Sequence, residues 1–101
     1  MTITRTQEQD TVTLALSGRL DSLTFPVLSH EIDTLYGGAP VDLVLDFSQI
    51  DYVSSAGLRV VVGAQKKATA AAKKLTLCGL QPAVRDVFVM TGLLSVLTIA
   101  D

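Results

Sequence analysis

Two adjacent serines, Ser54 and Ser55, stand where an apolar strand pattern gives way to a helical one, in Asp46-Phe47-Ser48-Gln49-Ile50-Asp51-Tyr52-Val53-Ser54-Ser55-Ala56-Gly57-Leu58. A helix N-terminus presents unpaired N–H groups and the positive end of the helix dipole, so a hydroxyl placed there suits phosphate. It is also exposed at the carboxyl end of a strand, where open α/β sheets place their sites. The plainer role for either serine is that of an N-cap, and capping serines are commonplace. Spacing alone favours the cap and does not separate the two roles.

Other chemistries find less support. His30 is the only histidine, and it falls on a helix face adjoining the apolar stripe. Ser-His-Asp catalysis would require it to reach Ser55, and no Gly-x-Ser-x-Gly elbow is present. HExxH and CxxC metal patterns are missing, as is a Gly-x-x-x-x-Gly-Lys-Ser/Thr loop for ATP. Asp42, Asp46 and Asp51 cluster near one loop and could hold a divalent cation, but they read better as loop and strand-end residues. Cys78 is the single cysteine, so no internal disulfide is possible. It closes the apolar run Leu75-Thr76-Leu77-Cys78 and reads as a small buried hydrophobe. No enzyme, cofactor or metal centre is expected.

The elements that must position the serines follow from periodicity. Thr2 to Glu8 is a weak strand candidate, Gln7 to Asp10 a polar turn. Val12, Leu14 and Leu16 alternate with Thr13, Ala15 and Ser17 as a half-buried strand, making a hairpin. Gly18 to Ser22 reads as a loop. A helix is expected from Thr24, a candidate N-cap, to Tyr36. Pro26 sits in its first turn, Phe25, Leu28, Ile32 and Leu35 share one face, and Gly37-Gly38 ends it. Val41 to Phe47 is a strand, followed by a loop through Asp51. A helix rich in Val and Ala runs from the serines to about Ala72. Leu75 to Cys78 is a strand, Pro82 to Met90 a helix with Gly92 beyond its end, and Val96 to Ile99 a last strand. The order β-β-α-β-α-β-α-β implies an α/β sheet, mostly parallel with right-handed crossovers, helices packed on the sheet and an antiparallel N-terminal strand.

The 101 residues suit a single domain over 1–101. Eight Lys plus Arg against ten acids give a net charge of −2, without the basic excess that nucleic acid demands. Lys66, Lys67, Lys73 and Lys74 read as the solvated end of a helix. Mean hydropathy is +0.45. The longest apolar-rich stretch, Val87 to Ala100, falls short of the roughly 20 residues a membrane span needs. Met1 to Arg5 lacks the apolar core of a signal peptide. The cytoplasm is the expected compartment, with no membrane insertion.

Three motifs, in order along nearly the whole chain, resemble the STAS family and in particular its anti-sigma factor antagonists. Gly18-Arg19-Leu20-Asp21 is similar to the family's Gly-x-Leu/Ile-Asp loop. Leu45-Asp46-Phe47-Ser48 through Gly57-Leu58 is similar to its central signature. Pro82-Ala83-Val84-Arg85-Asp86-Val87-Phe88 with Met90-Thr91-Gly92-Leu93 is similar to its closing helix. The resemblance implies a STAS-like mixed sheet and a phosphoswitch. The family's phosphorylated members commonly read Asp-Ser-Ser/Thr-Gly-Leu, with the phosphate on the serine after the Asp. Aligned through Gly57-Leu58, that serine is Ser55, while Ser54 replaces the Asp and is the alternative acceptor. The implied partners are an anti-sigma factor of the serine-kinase type, which binds the unphosphorylated form and uses ATP to modify it, and a serine phosphatase. The implied docking residues are Asp21, Ser54, Ser55, Gly57, Leu58 and Arg59. The alternative within the family is an unphosphorylated scaffold or subunit of a signalling or transport assembly.

Overall fold

The computed structural model describes residues 1–100. Its elements are β1 (Thr2–Glu8), β2 (Thr11–Leu20), α1 (Phe25–Gly37), β3 (Asp42–Val53), α2 (Ser55–Ala70), β4 (Leu75–Cys78), α3 (Pro82–Met90) and β5 (Thr98–Ala100), with a 3-10 turn over Leu93–Ser95. The strands lie in sequence order, β1-β2-β3-β4-β5. The first pair is antiparallel and the others are parallel, as expected from the alternation of strands and helices.

Because every crossover advances the sheet in the same direction, right-handed connections put all three helices on one face. That face carries the core: Val12, Leu14 and Leu16 of β2, Leu43, Leu45 and Phe47 of β3, Leu75 and Leu77 of β4. Helix α1 contributes Leu28, Ile32 and Leu35, and α2 contributes Leu58, Val61, Ala64 and Ala68. Helix α3 closes the far side through Phe88, whose ring meets Phe47 edge-on at 6.1 Å. The alternate residues of β2, β3 and β4, Thr13, Ala15, Val44, Asp46, Thr76 and Cys78 among them, are half-buried on the uncovered face, the arrangement of a one-sided sheet.

Four boundaries differ from the sequence expectation. Strand β3 does not stop at Phe47 but runs to Val53. Opposite β2 it carries two irregularities, at each of which β3 supplies one extra residue: Ala15 and Ser17 face Asp46 and Gln49, and Gly18 and Arg19 face Ile50 and Tyr52. The inward spacing therefore changes from two residues to three, and Ile50 and Val53 return to the core. Strand β2 likewise continues through Gly18, where a loop was expected. Gly18 takes φ +104, a left-handed value suited to glycine, and Leu20 ends fully buried. Helix α2 ends at Ala70, because Ala72 turns to φ 56 and Lys73 N–H bonds back to Ala68 O at 2.8 Å. The last strand is shifted too: Val96 is exposed, Leu97 is buried, and pairing begins at Thr98.

Candidate functional site

Strands β2 and β3 are parallel neighbours that finish side by side, Leu20 opposite Val53. The loops that follow them therefore open at the same end of the sheet. They are also bonded together, since Ser54 N–H donates to Leu20 O at 2.9 Å.

The first loop is organised by Asp21. Its Oδ1 accepts from Leu23 N–H at 3.0 Å and from Thr24 N–H at 3.1 Å, while its carbonyl accepts from Phe25 N–H at 2.9 Å. The Leu23 N–H bond, joined by those of Thr24 and Arg19, holds the Asp21 carboxyl below its ordinary pKa of 3.8 against a smaller upward push from desolvation. Thr24, expected to cap α1, occupies the cap position, yet its hydroxyl turns back to donate to Arg19 O at 2.7 Å. Asp21 performs the polar closure instead. Arg19 holds Asp21 Oδ2 at 3.5 Å from its Nε and lays its guanidinium 4.2 Å from the centre of the Tyr52 ring.

The second loop divides the two serines. Ser54 is the N-cap of α2, its Oγ accepting from Gly57 N–H at 3.3 Å. Ser55 is the first helical residue, exposed, and among the described residues its hydroxyl has no hydrogen-bond partner. Gly57 and Leu58 face inward, Leu58 only 7% exposed. They seat the helix and do not offer surface. Arg59, one turn beyond Ser55, is exposed. Of the six residues expected to dock a partner, the structure exposes Ser55 and Arg59 at one end of the sheet, with Asp21 and Ser54 half-buried at the same end.

Several features here escaped the sequence reading. Leu23 is 86% exposed in the Asp21 loop, and Val27 is 49% exposed in the first turn of α1. A groove of about 280 Å³ runs between α1 and α2, walled by Phe25, Ala56, Val60 and Gly63 and flanked by Arg59. Exposed apolar side chains show no periodicity, so only their location reveals them.

The remaining candidates scatter. Asp42 lies at the opposite end of β3, where Oδ1 accepts from Lys74 N–H, and Asp46 Oδ1 accepts from Ser48 N–H. Among the described residues no group of three His, Cys, Asp or Glu is placed to hold a metal. His30 is exposed on α1. Cys78 is half-buried on the uncovered sheet face and not in the core, and burial together with Asp46 pushes its thiol pKa up. Of the lysines at the end of α2, Lys67 bridges to Asp33 of α1. No helix is long and apolar enough to cross a membrane.

A family model described as "Mlab, STAS domain" matches residues 3–98. The chain belongs to the STAS family. The chain is similar to BtrV of Bordetella bronchiseptica, a proposed anti-sigma factor antagonist, at 37% identity over 85% of this chain and 74% of that protein. The anti-sigma-B factor antagonist of Listeria monocytogenes is 26% identical over 94% of this chain and 83% of its own length. Among solved STAS structures, the anti-sigma factor antagonist SpoIIAA in its unphosphorylated form superposes with a TM-score of 0.83 at 25% identity, covering 99% of this chain and 89% of that one. The five-stranded sheet with three helices is thus the STAS fold.

Proposed function

We propose that this STAS protein, a single domain over 1–101, is a cytoplasmic anti-sigma factor antagonist switched by phosphorylation of Ser55. The observation that carries the reading is the division of labour between the serines. Ser54 is committed to capping α2, while the Ser55 hydroxyl is exposed and unbonded. The names of the relatives support the antagonist role. In the unmodified state Asp21, Ser55 and Arg59 meet an anti-sigma factor of the serine-kinase type and so release its sigma factor. Ser55 Oγ then attacks the γ-phosphorus of ATP held by that kinase. The bond to the β–γ bridging oxygen breaks, ADP leaves, and the hydroxyl proton passes to a base on the kinase. A serine phosphatase restores the hydroxyl with water and releases inorganic phosphate.

The phosphate adds roughly −1.5 to −2 charges. At the first position of α2 the dipole offsets it by about 0.3–1 kcal/mol, whereas burying it against a partner without a matching cation costs several kcal/mol. The interface is lost and the fold is kept. Phosphopeptide mapping across Val53 to Arg59 in protein from its own cells tests the reading. Phosphate on Ser55 supports it, phosphate on Ser54 moves the acceptor, and none under varied growth and stress conditions refutes the switch.

A second reading, an unphosphorylated scaffold or subunit of a signalling or transport assembly, is favoured by the serine at position 54 in place of the usual Asp. Co-purification with a large assembly, with no phosphate found, would establish it.

A further inference from the structure

We infer that Arg59 is the intramolecular counter-ion of a phosphate on Ser55, so that modification both adds negative charge and withdraws a positive one from the docking face. The inference deepens the Ser55 reading above and rests on it.

Ser55 and Arg59 are four residues apart on α2, and both are exposed. That spacing puts their Cβ atoms about 5–6 Å apart on one helix face, with the anion N-terminal to the cation, the more favourable order. Helical side chains lean toward the N-terminus, which carries the long Arg59 side chain toward the turn that holds Ser55. Among the described residues Arg59 has neither an ion pair nor a hydrogen bond, and the first turn of α2 contains no acidic side chain to compete for it. The acidic residue across the groove, Asp33, is taken by Lys67. Arg19, also at this end of the sheet, is engaged by Asp21 and Tyr52. Arg59 is therefore the cation within one turn of Ser55 that is available to a new anion. Its planar fork matches phosphate oxygens in pairs.

In the unmodified protein exposed Arg59 lines the α1–α2 groove together with Phe25, Ala56 and Val60, where a partner's carboxylate can meet it. Once Ser55 carries phosphate, the guanidinium turns to it. An acidic partner group then loses its cation at the same moment that it meets a dianion.

The test uses the full chain with phosphoserine installed at position 55 by genetic code expansion, which needs no kinase. The second ionisation of the phosphate, followed by ³¹P NMR, is expected to lie about 0.2–0.4 unit lower with Arg59 than in R59Q. R59K should fall between them, and high salt should shrink the difference. Asp21 and Arg19 are common to all variants and cancel in the comparison. Unmodified R59Q should melt close to the parent, because among the described residues Arg59 makes no ion pair or hydrogen bond to lose. Identical titrations in the Arg59 and R59Q proteins would overturn the inference. Absence of phosphate in cells would instead refute the Ser55 reading and leave the titration result standing, so the two failures are distinguishable.

Discussion

A Cβ added to Gly57 would lie 2.7 Å from Leu20 Cγ and 2.8 Å from Leu20 O. The first turn of α2 thus rests directly on the end of β2, and no side chain fits between them. The backbone of Gly57 is not left-handed, so its requirement is one of space. Gly57→Ala should therefore lower stability by about 1–3 kcal/mol despite the better helix propensity of alanine. Urea unfolding checks the magnitude. A Leu20→Ala, Gly57→Ala double variant should show a coupling term, because the Cγ that clashes is gone.

The two serines should separate in a stability measurement before any partner is known. Ser54→Ala removes the cap on Gly57 N–H and should cost about 1 kcal/mol. Ser55→Ala removes a hydroxyl that bonds nothing and should stay within about 0.5 kcal/mol of the parent. In binding to a serine-kinase anti-sigma factor the order reverses for charge. Ser55→Asp should abolish capture, Ser55→Ala should retain it, and equal capture by both would contradict the switch.

Asp21 should leave a mark on the acid limb of stability. Its folded-state pKa is lowered, chiefly by the Leu23 N–H bond. The carboxylate therefore contributes its full stabilisation above the ordinary value of 3.8 and loses it as the pH falls through the lower folded value. Asp21→Asn, which keeps an acceptor oxygen but no titrating group, should differ from the parent by a constant amount near neutrality. That difference should narrow as the pH drops below about 4. Parallel chemical denaturation series at pH 7 and pH 3 would show it, and a gap of equal size at both would contradict it.

Ala72 is a position for improvement. It holds φ 56 where α2 ends, a conformation in which a Cβ is unwelcome. Ala72→Gly should raise stability by about 0.5–1 kcal/mol, visible as a higher melting temperature. Binding should not change, because Ala72 lies at the opposite end of α2 from Ser55.

Element order and pairing direction were legible because alternation in Val12-Leu14-Leu16 and helical spacing in Leu28-Ile32-Leu35 are local signals that the core enforces. What was not legible has a common cause. Between Phe47 and Val53 the extra residues break the two-residue period, so a strand that keeps its pairing loses its signature. Gly18, Arg19 and Asp21 carry turn chemistry while two of them still belong to β2. At the site, Ser54 and Ser55 are the same residue type in adjacent positions. Only the bond from Gly57 N–H tells the structural serine from the available one. Leu58, adjacent in sequence to the exposed Arg59, is core, because a helix turns its consecutive residues to different faces.

The hydrogen bond from Ser54 N–H to Leu20 O ties the second loop to the end of the neighbouring strand. On the function proposed above, a partner would meet both loops as one joined, ready-made face. Little chain entropy remains to be lost on docking, which favours affinity by preorganisation. A surface that cannot reshape itself has one economical way to refuse a partner, a change of charge at a fixed point. Such a change acts mainly by hastening dissociation of a complex already formed.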